Sequence, residues 1–438
     1  MNKRRIKPLI LFVFALAMAG PLNAAEYFVN KHGSDANDGS SREKAFLTVH
    51  QGLNAIAPGD TLTIGPGEYF ESASRTNLGD RSTTTIIRAE IRGAAILRGD
   101  IPMPPHCPVE GRKHVYCFKT TNEVQCINEV DTLNMYNLKP SLSEIEFAPG
   151  SYYFDEKAGV LYFTTSDWQP PEQHRMTISV IANAGLMLVD PTNVTVDGIA
   201  ARGFNKDSQE AQAGQLYGAR PGIGMLRGSN SVIRHCTAFL NGTGIGVMAP
   251  RRILVEHCAS YGNYSKFGNS GNICCWSPSE EGGVVRHCRS FAGYKNDIRF
   301  YGGIRGVCRM EDNIGRCMYF KVGETKPCVM ERCVSEEFVL MYSTNIFNSI
   351  CTQAGADGAD ESNIVFADTP GMDAGAEFAD PENLDYRLQA TSRFRGAAGG
   401  KDKGLYPYKP DIYYVKTNGS DTADGLSVMN AWQSPDKA

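Results

Sequence analysis

Charged side chains between positions 295 and 316 form the strongest candidate for chemistry in this sequence. Asp297 and Arg299 lie two positions apart, so an extended strand would project both side chains from one face. Lys295 precedes Asp297 at the same spacing, and Arg316 belongs to a later segment of similar pattern. A carboxylate can transfer a proton, and neighbouring cations stabilise negative charge that develops during a reaction. The alternative interpretation is a surface ion pair, which contributes little to stability.

Four segments of alternating polarity would position these side chains. They cover residues 244–247, 272–275, 297–300 and 316–319. Their period of two predicts strands stacked side by side. The predicted inward positions are Ile245, Ile273, Ile298 and Cys317, followed by Val247, Cys275, Phe300 and Tyr319. The predicted outward positions are Gly244, Asn272, Asp297, Arg316, Cys274 and Arg299.

A second set of strands repeats more closely, and each copy ends in cysteine. The copies are VIRHC at 232–236, LVEHC at 254–258, VVRHC at 284–288 and VMERC at 329–333. Such repetition predicts the coils of a solenoid, with stacked cysteines in the core and opposite charges on neighbouring outward positions. His235, His257 and His287 align in the same way. We interpret them as a ladder of like side chains rather than a metal site, because no carboxylate accompanies them in register.

Two stretches of similar sequence mark the limits of the repeat. Residues 27–46 and 413–432 are identical at nine positions without a gap. After the first stretch, Val49, Leu53 and Ile56 at helical spacing predict a short helix that covers the open end of the first coil. We therefore expect one module over residues 25–410 and the truncated start of a second module over residues 411–438.

The first residues have the pattern of a secretory signal peptide. Four basic residues precede the apolar run Leu9–Ala19, which is short for a membrane span, and Ala24 and Ala25 supply small residues for cleavage. We predict a signal peptide over residues 1–24 and a secreted, periplasmic or cell-surface protein with no membrane span after its removal. The formal charge then moves from −4 to −8, because 40 basic residues remain against 48 acidic ones. This balance argues against a nucleic-acid partner.

A β-rich insert over about residues 104–178 interrupts the repeat. It contains three of the 13 cysteines of the chain, Cys107, Cys117 and Cys126. A disulfide among these three is one interpretation, and free thiols are the other.

Several motifs resemble those of a known group of proteins. GSD-x-x-DG at 33–39, PGDTL-x-I at 58–64 and GPG-x-Y at 65–69 resemble the N-terminal cap of secreted right-handed parallel β-helix proteins of the pectate-lyase-like group. PGS-x-Y-x-D at 149–155 and G-x-LY at 159–162 resemble the small β-sandwich inserted in some β-helix glycosidases, such as certain β-xylosidases. The resemblance implies an all-β fold, namely a right-handed parallel β-helix with an N-terminal capping helix and an inserted small β-sandwich-like region.

The resemblance also implies a carbohydrate-active protein whose partner is a polysaccharide or oligosaccharide. Its groove would run along the outer face of one sheet, where the charged cluster lies. The predicted catalytic residues are Asp297, Arg299, Lys295 and Arg316. The predicted substrate-binding residues are Asn272, Trp276, Tyr264, Tyr294 and Tyr301, whose aromatic rings would stack on sugar rings.

Two reaction classes remain open. A lyase removes the proton beside a uronate carboxylate and needs cations, or Ca²⁺ held by acidic groups, to stabilise the enolate; the basic cluster fits this demand. A glycosidase needs two carboxylates roughly 5–9.5 Å apart. Asp297 would supply one, and the other is unassigned among Glu280, Glu281, Glu311 and Asp312. The ligands of any metal are unknown, and a non-catalytic surface, glycan-binding or adhesion β-helix is the third interpretation.

Overall fold

The structure consists mainly of parallel strands, which stack from coil to coil in three rows that we call line 1, line 2 and line 3. A computed structural model describes residues 24–120, 126–205, 221–264, 271–279, 281–292, 298–301, 306–320, 328–341, 344–351, 354–355, 362–365, 371–381, 385–398 and 400–404, with Ser420 and Gln433. Line 1 is a sheet of ten strands. These are Glu26–Val29, Thr61–Ile64, Thr85–Ala89, Val194–Asp197, Val232–Arg234, Ile253–Glu256, Gly283–Arg286, Cys308–Glu311, Cys328–Glu331 and Thr344–Phe347.

Lines 2 and 3 belong to one sheet of 17 strands. Line 2 contains Gly67–Tyr69, Ala95–Arg98, Ala200–Arg202, Thr237–Phe239, Ala259–Tyr261, Arg289–Phe291, Ile350–Cys351 and Ile364–Val365. Line 3 contains Ala73–Thr76, Leu186–Val189, Pro221–Leu226, Thr243–Met248, Ile273–Trp276, Ile298–Tyr301 and Ala354–Gly355. The long strands Ile314–Phe320 and Val334–Met341 pair in both lines. From Thr61–Ile64 to Ala354–Gly355, successive coils visit lines 1, 2 and 3 in that order. The predicted all-β parallel β-helix is therefore confirmed.

The interior is filled by side chains that stack from coil to coil. Cys236, Cys258, Cys288 and Cys333 are all buried in the main hydrophobic core, as predicted. In line 3, Ile245, Ile273 and Ile298 pair in register and are also buried. Burial of these continuous apolar columns stabilises the solenoid because each coil covers the hydrophobic face of its neighbour.

The predicted inward set is wrong on one coil. Met318, rather than Cys317, pairs with Ile298, and Phe320, rather than Tyr319, pairs with Phe300. The rings of Phe300 and Phe320 stack 5.2 Å apart in the core. The strand Ile314–Phe320 runs from line 2 into line 3, with Gly315 paired to Ser290 in line 2 and Met318 paired to Ile298 in line 3. A slip of one residue exchanges the inward and outward faces.

Line 1 carries a column of charges on its outer face. Arg234, Glu256, Arg286 and Glu311 pair in register, which confirms the predicted alternation of charge over the first three. The guanidinium of Arg286 lies 2.6 Å from the carboxylate of Glu256. The next rung breaks the alternation, because Glu331 pairs with Glu311.

The three histidines form a stacked ladder at the corner after line 1. The ring centroids of His235 and His257 are 5.1 Å apart and those of His257 and His287 are 4.8 Å apart, with interplanar angles of 16° and 11°. Nearly parallel rings direct their nitrogen lone pairs in parallel rather than toward one point. No group of three or more metal-ligating side chains is present in the part of the chain that the structure describes. The stacked rings confirm the predicted ladder of like side chains. The prediction that no carboxylate joins this column is wrong, because Asp312 has the same left-handed backbone on the next coil and its carboxylate lies 3.9 Å from Nδ1 of His287.

One short helix lies against the first coil. It spans Val49–Ala55, and the side chain of Thr48 caps its N-terminus by accepting a hydrogen bond from the amide of Gln51 (3.1 Å). Val49 and Leu53 are buried in the core of the coils. A Cβ atom at Gly52 would lie 2.7 Å from a methyl of Val29, so the helix contacts the coil without space for a side chain at this position.

The insert forms two small sheets with a core of their own. One sheet contains Asp100–Pro102, Ile127–Glu129, Asn134–Met135 and Met176–Ser179; the other contains Cys107–Pro108, Tyr116–Lys119, Asn137–Leu138, Ser151–Asp155 and Val160–Thr164. A helix, Leu142–Ile145, and a 3₁₀ turn, Pro171–Gln173, accompany them. The separate core includes Phe118, Tyr136, Tyr152, Leu161 and Phe163. The insert thus packs as a unit beside the coils.

Two further elements lie near the far end of the coils. They are the helix Ala374–Glu377 and the antiparallel pair Phe378–Asp380 and Asp385–Leu388. The predicted signal peptide lies outside the described residues except for Ala24. The predicted start of a second module also lies outside them, except for Ser420 and Gln433.

Candidate functional site

The outer face of line 3 brings together three of the predicted site residues. One outward column consists of Gly224, Gly246, Cys274, Arg299 and Tyr319. The column beside it consists of Leu226, Met248, Trp276 and Tyr301. Arg299, Trp276 and Tyr301 are therefore neighbours on adjacent strands.

Arg299 points outward, but it is buried rather than exposed. Only 2% of its surface is accessible. Its guanidinium lies over the rings of Trp276 and Tyr301, 5.4 and 5.5 Å from their centroids, and its Nε donates a hydrogen bond to Sγ of Cys274 (3.1 Å). Two cation–π contacts hold the side chain flat along the sheet. The prediction that Arg299 lines an open groove is therefore wrong in this conformation.

The aromatic residues of this face differ in accessibility. Trp276 is only 6% exposed, so the predicted stacking of a sugar on this indole is wrong in this conformation. Its Nε1 has no hydrogen-bond acceptor among the described residues. Tyr301 and Tyr319 are half-buried and stack with their centroids 6.3 Å apart. These two rings form the partly accessible aromatic surface of the face.

Asn272 lies inside the solenoid, so the prediction of an outward position for this residue is wrong. It precedes the strand Ile273–Trp276 and is fully buried. Its Oδ1 accepts hydrogen bonds from the amide and Nδ2 of Asn263 (3.3 and 2.7 Å), and its Nδ2 donates to the carbonyl of Phe291 (2.7 Å). Asn263 in turn bonds to Asn241. At a turn, the alternation of a strand no longer decides which way a side chain points.

The other predicted site residues are only partly described. Asp297, Lys295 and Tyr294 lie outside the described residues. Arg316 lies on the strand Ile314–Phe320, but its side chain is also outside the described part. Tyr264 is half-buried, and its amide donates to the carbonyl of Asn241 (2.9 Å). The catalytic and substrate-binding roles of these residues stay predictions.

Earlier coils of line 3 are closed on their outer face. A Cβ atom at Gly224 would lie 2.6 Å from Sδ of Met187 and 2.7 Å from Cγ of Pro221. A Cβ atom at Gly246 would lie 3.0 Å from Pro221 and 3.2 Å from the ring of Trp276. Pro221 therefore lies against both glycines and leaves little space for a side chain at either position.

An open cleft lies instead at the turn that follows line 3. It has a volume of about 620 Å³, within the range typical of ligand sites. We call it the arginine cleft. It is lined by Arg81, Asp190, Thr192, Arg227, Ser229, Ala249, Arg251, Ser277, Pro278 and Ser279.

The turn geometry of successive coils builds this cleft. Asp190, Arg227, Ala249 and Ser277 each follow directly after a strand of line 3 and have φ between 47° and 53°. Their amides donate to carbonyls of the next coil, for example Ser277 to Tyr301 (2.7 Å). This left-handed conformation is uncommon outside glycine. Its repetition places one side chain from each coil along the same side of the cleft.

The charges of the arginine cleft do not cancel. Arg227 makes a bidentate ion pair with Asp190 at 2.6 Å for both contacts, which holds the pKa of that carboxyl below its usual range. Arg81 and Arg251 make no ion pair with the described residues. Three guanidiniums therefore face one carboxylate among the described lining residues. This is a suitable environment for an anionic ligand.

The strand pattern of the sequence does not reveal this cleft, because the lining residues lie in the turns between strands. The available signal was a basic or hydroxyl side chain one to three positions after three successive strands of line 3, as in Arg227, Arg251 and Ser279. Aligning the turns of successive coils would have grouped these residues.

Comparison with known proteins supports the fold. No protein-family model matches the chain, and no curated protein matches its sequence. The solved structure of pectate lyase Pel9A matches with a TM-score of 0.51 and 13% identity, over 88% of this chain and 96% of that one. A rhamnogalacturonan lyase matches with a TM-score of 0.42 and 12% identity over 87% and 96%, and XylC in complex with xylose with 0.45 and 11% over 76% and 69%.

The likeness to pectate lyase Pel9A confirms the predicted resemblance at the level of the fold. At this identity it identifies a shared parallel β-helix and leaves the chemistry to the site. Among the described residues, no helix is long and apolar enough to cross a membrane.

Proposed function

We propose that the protein binds an acidic polysaccharide at the arginine cleft and cleaves it by lyase or hydrolase chemistry. The observation that carries this proposal is the excess of guanidinium groups over carboxylates in an open cleft of a chain with a net charge of −4. Guanidinium groups bind carboxylates and sulfates through paired, charge-assisted hydrogen bonds. The hydroxyls of Ser229, Ser277 and Ser279 can hydrogen-bond to sugar hydroxyls.

The cleft favours β-elimination over hydrolysis. Elimination from a uronate develops negative charge beside the sugar carboxylate, which nearby cations stabilise. Hydrolysis needs two carboxylates roughly 5–9.5 Å apart, and Asp190 is the only carboxylate among the described lining residues, where it pairs with Arg227. Asp297, Lys295 and Arg316 stay the predicted catalytic residues, but none of them is among the described residues that line the cleft. The cleft therefore accounts for binding and charge stabilisation, and the base that removes the proton is unassigned there. For the lyase reaction we propose Ca²⁺ as the cofactor.

Product analysis on a small panel of polysaccharides tests the reaction. Polygalacturonate and alginate serve as acidic substrates, and xylan serves as the neutral comparison. We expect absorbance near 235 nm to rise with an acidic substrate, because elimination creates an unsaturated uronate. Reducing ends without that absorbance would indicate hydrolysis instead. Retention by an acidic polysaccharide without any product would refute cleavage and support the non-catalytic interpretation.

A pair of neighbouring arginines tests the cleft. We expect Arg251→Gln to weaken binding of the acidic polysaccharide about tenfold, because it removes a cation from the cleft. Arg252→Gln is the matched control, since Arg252 lies outside the lining set and its guanidinium is 3.7 Å from the carboxylate of Glu281. Added salt should weaken the wild-type interaction. Equal affinities of the two variants would refute the assignment of the arginine cleft.

A further inference from the structure

The insert carries a second open cleft that is aromatic rather than basic. It has a volume of about 460 Å³ and is lined by Lys113, His114, Glu146, Phe147 and Trp168. The ring centroids of His114 and Trp168 are 5.7 Å apart at an angle of 55°. Phe147 is 86% exposed, more than any other large hydrophobic side chain of the described chain. An aromatic side chain left this open in water indicates a contact surface.

Three separate loops of the insert supply these rings, and each loop is fixed. His114 lies in a turn closed by a hydrogen bond from the amide of Val109 to the carbonyl of Val115 (2.9 Å). Phe147 follows the helix Leu142–Ile145, whose last residue is completely buried. Trp168 lies in a loop where the hydroxyl of Thr165 donates to the carbonyl of Gln169 (2.6 Å). Fixing the backbone of these loops lowers the conformational entropy that is lost on binding.

A buried polar network supports the loop of Trp168. Glu129 is fully buried and accepts hydrogen bonds from the hydroxyl of Ser166 (2.6 Å) and from that of Tyr136. Asp167 lies 3.1 Å from Nε2 of His174 and accepts a hydrogen bond from the amide of Gln169 (2.9 Å). These hydrogen bonds restrain the residues on both sides of Trp168, namely Asp167 and Gln169.

We propose that this cleft, the insert platform, binds the flat faces of uncharged pyranose rings in a glycan. Aromatic rings attract the axial C–H groups of a sugar, and the rim offers the ammonium of Lys113 and the carboxylate of Glu146 to its hydroxyls. Glu146 is itself fixed by Arg112 at 2.6 Å. The lining contains no aliphatic side chain among the described residues, and the site is small, so it suits one or two sugar rings better than a protein surface.

The insert platform differs from the arginine cleft in the ligand it selects. The platform has aromatic faces and a carboxylate on its rim, so added salt should not change its affinity for an uncharged glycan. Added salt should weaken the binding of an acidic polysaccharide at the arginine cleft. The insert is fixed to the coils, because Nε of Arg202 in line 2 bonds to Asp100 at its base (3.4 Å). The platform would therefore hold a glycan beside the coils, and this binding needs no cleavage activity.

Tryptophan fluorescence gives a direct readout, because the chain has only three tryptophans. Hexasaccharides of xylose, glucose and mannose, each β-1,4-linked, are titrated into the full-length protein. We expect one of them to change the emission, with no effect of about 0.5 M salt on the affinity. Trp168→Phe should remove most of the change, and Phe147→Ala should weaken binding about three- to tenfold. Phe70→Ala is the matched control, since Phe70 is 50% exposed but lies outside the insert.

Several results would overturn the inference. They are the absence of binding to all three hexasaccharides, equal affinities of Phe147→Ala and Phe70→Ala, or a dimer of the wild type that Phe147→Ala dissociates. The last result would mean that a second copy of the chain covers the platform. Cleavage of soluble acidic substrate should be the same in Phe147→Ala and wild type, so failure here is distinguishable from failure of the proposed function.

Discussion

Replacement of Asn272 by alanine separates the sequence-based prediction for this residue from its position in the structure. The sequence predicts a substrate contact, whereas the structure places the amide in the interior between Asn263 and Phe291. Alanine would leave the buried amide of Asn263 without its acceptor, at a cost of about 1–3 kcal/mol, and would weaken two further hydrogen bonds. We therefore expect a total loss of about 3 kcal/mol in the free energy of unfolding.

The expected change in melting temperature follows from the size of the coils. At about 2.1 cal/mol/K per residue, the roughly 320 described residues give an unfolding entropy of ~0.7 kcal/mol/K. A loss of about 3 kcal/mol then lowers the melting temperature by ~4 °C. Differential scanning calorimetry measures this shift. Asn134→Ala is the control, because Asn134 is exposed and its Nδ2 donates only to the hydroxyl of Thr132 (3.0 Å) among the described residues.

The same variant should bind the acidic polysaccharide as tightly as wild type at room temperature. The side chain of Asn272 has no exposed surface from which to contact a ligand. An unchanged melting temperature together with a tenfold loss of affinity would refute this reasoning. That combination would show that Asn272 faces the substrate, as the alternation in the sequence predicts.

Three further predictions concern pH and oxidation. Burial, and next the positive charge of Arg92, lower the pKa of His235. The folded protein therefore resists protonation of this imidazole, and its stability should fall as the pH drops below about 6.5. Asparagine suits the left-handed backbone at this position, so the melting temperature of His235→Asn should fall less between pH 7 and pH 5 than that of the wild type. Burial alone would lower the pKa of His174, but the hydrogen bond to Asp131 and the charges of Glu129 and Asp167 raise it. The protonated imidazole therefore stabilises the fold at low pH, and His174→Gln should lower the melting temperature more at pH 5.5 than at pH 8. A larger loss at pH 8 would contradict this network. The thiols of Cys107 and Cys117 lie 3.8 Å apart on paired strands. Oxidised glutathione should therefore join them in a disulfide with loss of two hydrogens, which mass spectrometry detects as a decrease of about 2 Da in the peptide mass. Cys126 should stay reduced, because it is buried and bonds to Asn128.

Most of the fold could be predicted because successive coils of a solenoid repeat the same sequence pattern. The strands ending at Cys236, Cys258 and Cys288 carry the same pattern, so each copy supports the interpretation of the others. The charge alternation from Arg234 to Arg286 and the histidine ladder follow from that alignment alone. The coil at Ile314–Phe320 could not be predicted in the same way, because a register shift inside one strand leaves no mark in the pattern of apolar residues.

The candidate site was harder to predict because long side chains do not follow the alternation of the backbone. The sequence correctly places Arg299 on an outward position, but it does not show that the guanidinium lies between Trp276 and Tyr301. Burial of the cation is a result of side-chain packing across two coils. Whether a charged side chain is buried therefore depends on packing that the sequence does not show, even where its strand and register are known.

The two clefts show how a repeating fold can acquire binding sites without changing its core. The interior columns tolerate few side chains, because each position is covered by the coil above and the coil below. The turns after line 3 have no such restriction, and there Asp190, Arg227 and Ser277 share one backbone conformation while differing in chemistry. The insert goes further, since its aromatic loops rest on a separate core. Substitutions in either cleft should therefore alter binding with little loss of stability, whereas substitutions of the buried, hydrogen-bonded Asn241, Asn263 and Asn272 should do the opposite.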